Sequence, residues 1–143
     1  MSWIRIWVHL VFSTKNREKY LVDDIRSTVF KHIKENAENK NIWIDHIGGY
    51  KDHCHCLISL GKEQTIRKVA QLIKGESSFW INKYLNLKFK FSWQDDFWAK
   101  SVAESQIEEI REYIRSQEEH HKKRTFKDEI EELFMDYDLK LTE

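Results

Sequence analysis

Residues 52–60 read Asp-His-Cys-His-Cys-Leu-Ile-Ser-Leu, and this stretch decides the fold. It follows a Gly-Gly turn signal and continues into an apolar run, which is typical of a β-strand that starts at a loop. Successive side chains of a strand point to opposite faces. We therefore expect His53 and His55 to share one face of a sheet, and Cys54 and Cys56 to point from the other face.

Two imidazoles on one face of a strand are a ready pair of metal ligands. A lone histidine is most often a surface residue or a hydrogen-bonded core residue. The metal hypothesis therefore depends on the spacing of the two histidines and not on either one alone. Asp52 either orients one of the two histidines as a hydrogen-bond partner or is only a turn residue. Because Cys54 and Cys56 face away from the histidines, we expect two buried thiols in a reducing compartment rather than a zinc knot or a disulfide.

The surrounding sequence predicts a βαββαβ order followed by further helices. The predicted strands are residues 3–12, 42–47, 53–60 and 89–93, and the predicted helices are residues 23–39, 65–84, 102–120 and 126–137, with Asp23 or Asp24 and Thr65 as caps of the first two. This order is that of an α+β, ferredoxin-like or RRM-like antiparallel sheet with two helices on one face. The other face is expected to stay open for a ligand or another element. We expect residues 1–143 to form a single domain.

Composition narrows the class of protein. The 24 basic and 24 acidic residues cancel, but residues 66–94 carry six basic residues and one acidic residue, while residues 125–143 carry seven acidic and two basic residues. Such a local basic excess can hold phosphates, although ordinary solvated helix faces produce it too. No apolar run approaches the ~20 residues that span a bilayer. The first residues are typical of a strand rather than a signal peptide, so we expect a cytoplasmic protein without a membrane partner.

The predicted helix 102–120 carries a second polar feature. Its apolar stripe consists of Ala103, Ile107, Ile110 and Ile114. Tyr113 lies at the margin of this stripe, and Gln117 lies on the same flank as its i, i+4 neighbour. A tyrosine at such a margin is ordinarily a packing residue. Gln117 and the following basic residues make this flank more polar than packing requires.

Asp52-His53-Cys54-His55 followed by Tyr113-x-x-x-Gln117 resembles the HUH single-tyrosine transposases of small bacterial insertion sequences. Residues 11–17 (Val-Phe-Ser-Thr-Lys-Asn-Arg), 48–52 (Gly-Gly-Tyr-Lys-Asp), 93–94 (Trp-Gln) and 117–123 (Gln-Glu-Glu-His-His-Lys-Lys) are similar to that family as well. The resemblance covers nearly the whole chain. Cys54 is one departure, since the family more often has a larger hydrophobic residue there.

The resemblance implies a metal-dependent enzyme that cleaves and rejoins single-stranded DNA at hairpin-containing ends of a mobile element. It implies that His53 and His55 bind Mg²⁺ or Mn²⁺, with Gln117 as a third ligand. Tyr113 would be the nucleophile and would form a 5′-phosphotyrosine link. Members of the family work as homodimers, in which the tyrosine helix of one subunit can complete the site of the other, and residues 94–101 could let that helix swing.

DNA would contact basic side chains on several segments and could stack on Trp98 or Tyr50. The candidate DNA-binding residues are Lys15, Arg17, Arg67, Lys68, Lys74, Lys122 and Lys123. Three alternatives remain at this point: a host-domesticated relative that acts on repeated palindromes, a non-catalytic RRM-like nucleic-acid-binding module, and a protein with a structural metal site.

Overall fold

The computed structural model describes residues 2–134. Its elements in chain order are β1 (Ile6–Ser13), α1 (Asp23–Asn39), β2 (Trp43–Tyr50), β3 (His53–Leu60), α2 (Ile66–Tyr84), β4 (Trp98–Val102), α3 (Ile107–Arg115), α4 (Gln117–His121) and α5 (Phe126–Phe134), with short 3₁₀ helices at Lys15–Arg17 and Glu104–Gln106. The predicted last three residues of the final helix, 135–137, lie outside the described residues. None of the described helices has the length and apolar character that crossing a membrane requires.

The four strands form one antiparallel sheet in the order β2-β3-β1-β4. The order confirms the ferredoxin-like α+β prediction. Strand β3 is central and pairs with β1 along its whole length, with His55 opposite Val11 and Cys54 opposite Phe12. A strand that is hydrogen-bonded on both sides is a rigid support, so the two histidines of β3 have little freedom to move.

Helices α1 and α2 cover one face of the sheet and enclose the main core. Cys54, Cys56 and Ile58 point into this core from β3, as the strand alternation predicts. From α1, Val29 and Ile33 pack against the same layer at helical spacing. Thr65 caps α2 as predicted, since its side chain accepts a hydrogen bond from the backbone N–H of Lys68.

The opposite face, predicted to be left for a ligand or another element, is covered by the C-terminal helices. Leu57 of β3 packs against Ile107 and Ile114 of α3. Val11 of β1 packs in a second cluster with three residues of α5, namely Phe126, Ile130 and Phe134. The face of β3 that carries His53 and His55 therefore lies under helices rather than against solvent.

The predicted fourth strand, residues 89–93, is wrong. Phe91 is buried, but both its backbone N–H and its C=O bind the side chain of Asn82 on α2, so most of the segment packs on α2, and only Trp93 pairs with the chain after β1, in an isolated bridge to Thr14. The sheet-edge strand is Trp98–Val102, hydrogen-bonded to β1. The segment 94–101, predicted as a swinging connector, thus contains most of a strand.

Three local predictions also need correction. Gly48 and Gly49 lie inside β2 rather than in the hairpin turn, which residues 51 and 52 form. Asp23 is the first residue of α1 and bonds Arg26, while the capping position is Val22. The predicted helix 102–120 is two helices, because Ser116 leaves helical geometry (φ −98°, ψ 19°) and its hydroxyl donates to the carbonyl of Glu112.

Candidate active site

His53 and His55 lie side by side on β3, on the face covered by α3, α4 and α5, and both are fully buried. Their ring centroids are 5.0 Å apart. The ring of Phe126 stacks on His53 with centroids 4.5 Å apart and closes the site from the side of α5. The sheet face predicted for the pair is confirmed.

Hydrogen bonds to the Nδ1 atoms fix both imidazole rings. Asp52 Oδ1 lies 2.8 Å from His53 Nδ1, so this turn residue orients the histidine. Nε2 of His9, on β1, lies 2.8 Å from His55 Nδ1. Burial, and then the nearby His55, lower the pKa of His9 to about 3, which keeps His9 neutral and able to accept a hydrogen bond from His55. Both Nε2 atoms are thereby aimed at the same space.

Two further side chains reach that space from the C-terminal helices. Gln117 Oε1, on α4, lies 2.9 Å from His53 Nε2, and the amide nitrogen of Gln117 donates to the carbonyl of Tyr113. Glu129 Oε1, on α5, lies 3.1 Å from His53 Nε2 and 3.2 Å from His55 Nε2. Gln117 and Glu129 are both buried.

The spacing of these atoms fits a divalent metal ion. Adjacent ligands of an octahedral ion with bonds of 2.0–2.1 Å lie about 2.9 Å apart, close to the 2.9–3.2 Å separations measured here. The ligand atoms of His53, His55 and Glu129 all lie within 4.8 Å of one another. Two imidazoles with oxygen donors suit Mn²⁺, and Mg²⁺ accepts such oxygen ligands together with water and phosphate. The residues present therefore fit the predicted ion.

Burial and hydrogen bonds within the cluster also shift the pKa values of its histidines and of Glu129. Burial by itself would lower the pKa of His53, but hydrogen bonds to Asp52 and Glu129 outweigh it and raise this pKa to about 9. Burial opposes the charge of Glu129 too, yet hydrogen bonds, first from His121 and then from His53, hold its pKa far below the usual range. Burial lowers the pKa of His55. Metal binding must therefore displace a proton from His53, whereas His55 is already neutral.

Tyr113 completes the cluster from α3. Its hydroxyl donates a hydrogen bond to Glu129 Oε2, and its ring centroid lies 5.7 Å from that of His55. Burial and the charge of Glu129 raise the pKa of Tyr113. The nucleophile proposed from the sequence thus lies beside the histidine pair of the same chain.

Three members of the cluster were not singled out from the sequence as site residues: His9, His121 and Glu129. His9 lies two residues before Val11 on β1, and the face of that strand could have been inferred from its alternation. His121 Nε2 lies 3.2 Å from Gln117 Oε1 and 3.1 Å from Glu129 Oε1. Glu129 is one of four acidic residues in nine on α5, and the sequence does not distinguish it from its exposed neighbours.

The predicted DNA-binding residues lie in three places. Lys15 and Arg17 follow β1 beside the site, and the Arg17 guanidinium lies 5.6 Å from the centre of the Phe126 ring. Arg67 and Lys74 line a groove of about 350 Å³ beside α2, and Lys68 is exposed on the same helix. Lys122 and Lys123 are exposed after α4. Trp98 and Tyr50 are half-buried and pack against Phe126 and His121 respectively.

Fold and site together define a class: a ferredoxin-like domain with a buried histidine pair on its central strand and a tyrosine on a covering helix, the arrangement that the resemblance to single-tyrosine transposases implies. The family described as "Transposase IS200 like" matches residues 2–117. The chain therefore belongs to the IS200-like transposase family, which confirms the resemblance drawn from the sequence.

Solved structures share the fold. A candidate transposase from Deinococcus radiodurans R1 has 21% identity and a TM-score of 0.65, over 81% of this chain and 93% of its own. A REP-associated tyrosine transposase bound to a REP hairpin has 18% identity and a TM-score of 0.62, over 85% of this chain and 72% of its own. No curated protein matches the chain.

Proposed function

We propose that this transposase cleaves and rejoins single-stranded DNA at hairpin-containing ends, in a metal-dependent reaction with Tyr113 as the nucleophile. One observation carries the proposal: His53, His55 and Gln117 lie together at one buried site, and the half-buried Tyr113 reaches the same site of the same chain through its hydrogen bond to Glu129. Membership of the IS200-like transposase family supports DNA as the substrate.

His53, His55 and Gln117 would hold the divalent ion, which when bound supplies positive charge to a non-bridging oxygen of the scissile phosphate. Asp52 and His9 keep the two imidazoles oriented toward it. The Tyr113 hydroxyl loses its proton as its oxygen attacks phosphorus, the bond to the 3′ oxygen breaks and leaves a 3′-hydroxyl once that oxygen takes a proton, and a 5′-phosphotyrosine link forms. Because this link keeps the energy of the phosphodiester, a 3′-hydroxyl of another strand can reverse the step without ATP.

Hairpin DNA is the proposed ligand. The REP-associated tyrosine transposase, which shares the fold of this chain, is bound to a REP hairpin in its solved structure. Lys15 and Arg17 beside the site, Arg67, Lys68 and Lys74 on α2, and Lys122 and Lys123 after α4 offer positive charge for phosphates. Mutation of a phosphate-contacting lysine should reduce the salt dependence of binding.

A covalent-adduct assay tests the proposal. The protein is mixed with labelled single-stranded hairpins and Mn²⁺ or Mg²⁺, and a labelled protein band is sought after denaturation. The panel includes hairpins from the flanks of the gene and repeated palindromes, so that an insertion-sequence enzyme and a domesticated relative give different patterns. The band should vanish with EDTA, with Tyr113→Phe and with His53→Ala. A folded, metal-binding protein that gives no band with any hairpin would refute the proposal.

We also propose a homodimer, and the same assay locates its active sites. Within the described residues, one chain places Tyr113 beside its own histidine pair, which favours sites formed within a subunit. Mixed dimers of His53→Ala and Tyr113→Phe chains test this. Restored activity in the mixture would show that subunits share sites, and continued inactivity is the expected result.

A further inference from the structure

We propose that Glu129 is a third metal ligand and the residue that accepts the proton of Tyr113. One carboxylate oxygen would bind the ion beside His53 and His55, and the other would take the proton as the phenol attacks. This inference deepens the proposed function and rests on it for the second role only. It adds to the site a residue that neither the sequence motifs nor the family match includes.

The geometry places the two carboxylate oxygens on different partners. Oε1 lies 3.1 Å from His53 Nε2 and 3.2 Å from His55 Nε2, where a ligand adjacent to both histidines would lie. Oε2 accepts the hydrogen bond from the Tyr113 hydroxyl. A single carboxylate therefore spans the distance between the metal position and the nucleophile.

The position of Glu129 on α5 is not that of a solvated helix acid. Asp128, Glu131 and Glu132 of the same helix are exposed, whereas Glu129 is 1% exposed. Phe126, Ile130 and Phe134 fix this face of α5 against Val11 of β1. Burying a carboxylate is costly unless it is paired and hydrogen-bonded. A bound cation would offset the cost of burying the Glu129 carboxylate.

The family match ends at residue 117, so α5 and Glu129 lie beyond it. An ionised carboxylate is a stronger ligand for Mg²⁺ or Mn²⁺ than the neutral amide of Gln117. The two histidines alone contribute no negative charge to the site. Glu129 would therefore supply the anionic ligand that the matched region lacks around this histidine pair.

The proton of Tyr113 can be followed through cleavage and rejoining with Glu129 and water as the only proton carriers. The Tyr113 O–H bond breaks, its proton passes to Oε2 of Glu129, and the phenolate oxygen forms a bond to phosphorus. The bond between phosphorus and the 3′ oxygen breaks, and the 3′ oxygen leaves with the electron pair and takes a proton from water. When a 3′-hydroxyl attacks the link, its own proton returns to solvent, the bond between phosphorus and the Tyr113 oxygen breaks, and Glu129 returns its proton to that oxygen.

Metal affinity is the first test, because it needs no DNA. Binding of Mn²⁺ to the full chain is measured by the electron paramagnetic resonance signal of free Mn²⁺. Glu129→Gln keeps the side-chain shape and should weaken binding at least about tenfold. Glu131→Gln, which removes an exposed carboxylate from the same helix, should not change it. Glu129→Gln that binds Mn²⁺ as tightly as the wild type would refute the ligand role.

Circular dichroism verifies that each variant is folded. If Glu129→Gln does not fold, Glu129→Asp replaces it, since this variant keeps the charge but shortens the side chain by one methylene group. Its carboxylate cannot reach both partners, so weaker Mn²⁺ binding is again expected. Unchanged binding in this variant would also count against the proposal.

Adduct formation at saturating Mn²⁺ tests the second role. Glu129→Gln should slow it about 100-fold or more, because the amide cannot take the Tyr113 proton. An equal rate would refute proton transfer to Glu129, and a faster rate would mean that the carboxylate obstructs the DNA phosphate instead. If the wild type forms no adduct, the proposed function fails, whereas the Mn²⁺ measurement still decides the ligand role.

Discussion

Asp45 on β2 accepts two hydrogen bonds from the guanidinium of Arg111 on α3, each 2.8 Å long. The pairing of β2 with β3 is irregular between Ile44 and His46, and this bulge presents Asp45 to the helix. Arg111 lies two residues before Tyr113. The ion pair therefore fixes the height and rotation of the tyrosine helix over the sheet.

Asp45→Asn should lower stability in a pH-dependent way. The hydrogen bonds from Arg111 lower the pKa of Asp45 below its ordinary 3.8, so the pair contributes fully above that value and its contribution is lost as the pH falls through the lowered pKa. Urea unfolding from pH 7 to pH 3 should show a wild-type advantage that shrinks only at the acidic end. Glu112→Gln, which removes an exposed partner of Arg115, is the control and should show no such trend. A constant difference across the range would contradict the prediction.

Gly48 should tolerate no side chain, unlike Gly75. A Cβ at position 48 would lie 2.6 Å from the carbonyl oxygen of Ile114, so α3 must move away from β2 to make room for it. We expect Gly48→Ala to cost about 1–3 kcal/mol of unfolding free energy. A Cβ at position 75 meets nothing within 4 Å on an exposed part of α2, and Gly75→Ala should stabilise the helix by about 0.5–1 kcal/mol. Denaturant unfolding of both variants measures this, and equal effects would show that α3 is not packed as described.

His9 should support metal binding through His55. His9→Phe preserves a ring in the packed sheet face but removes the nitrogen that lies 2.8 Å from His55 Nδ1. Loss of such a partner typically weakens metal affinity about 10- to 100-fold. Mn²⁺ titration measures it, with His32→Phe as the control, since His32 stacks on Trp80 of α2 in the other layer. Equal affinities in both variants would mean that His55 needs no orienting partner.

The sequence predicts the sheet and the histidine pair because short-range alternation determines both. His53, His55, Cys54 and Cys56 lie on the predicted faces, since strand geometry alone separates them. The fourth strand was misplaced because Phe89 to Trp93 alternates like a strand, whereas the side chain of Asn82 takes the backbone groups of Phe91. Asn82 and Phe91 are nine residues apart in the chain, and no periodicity of the sequence predicts that their side-chain and backbone groups pair.

The sequence predicts the part of the site that depends on neighbouring residues and misses the part that depends on distant contacts. Tyr113 and Gln117 form an i, i+4 pair, so their proximity follows from sequence even though Ser116 ends α3 between them. Glu129 reaches the histidines only because α5 folds back over the sheet, and its contact with His55 joins residues that are 74 positions apart in the chain. Nothing in an acidic helix identifies the one carboxylate that turns inward.

Cys54 and Cys56 should not react with a thiol reagent while the protein is folded. Both are fully buried on the core side of β3, their Sγ atoms are 3.9 Å apart, and burial raises the pKa of the Cys54 thiol. We expect both thiols to react with Ellman's reagent only after unfolding in guanidinium chloride. EDTA should not change the rate in the folded protein, because the thiols face away from the histidines. Faster labelling after EDTA treatment would place a thiol among the metal ligands.

Mn²⁺ should stabilise the fold through His53. An ion that binds only the folded state at 100 times its dissociation constant adds about 2.7 kcal/mol to the unfolding free energy. The ligands of this site come from β3, α4 and α5, so the ion would join the central strand to both helices. Thermal melts with and without Mn²⁺ should show a rise in Tm that EDTA reverses and that His53→Ala abolishes. His32→Ala should keep the rise, because His32 lies across the sheet. A rise of equal size in His53→Ala would place the stabilising ion elsewhere in the protein.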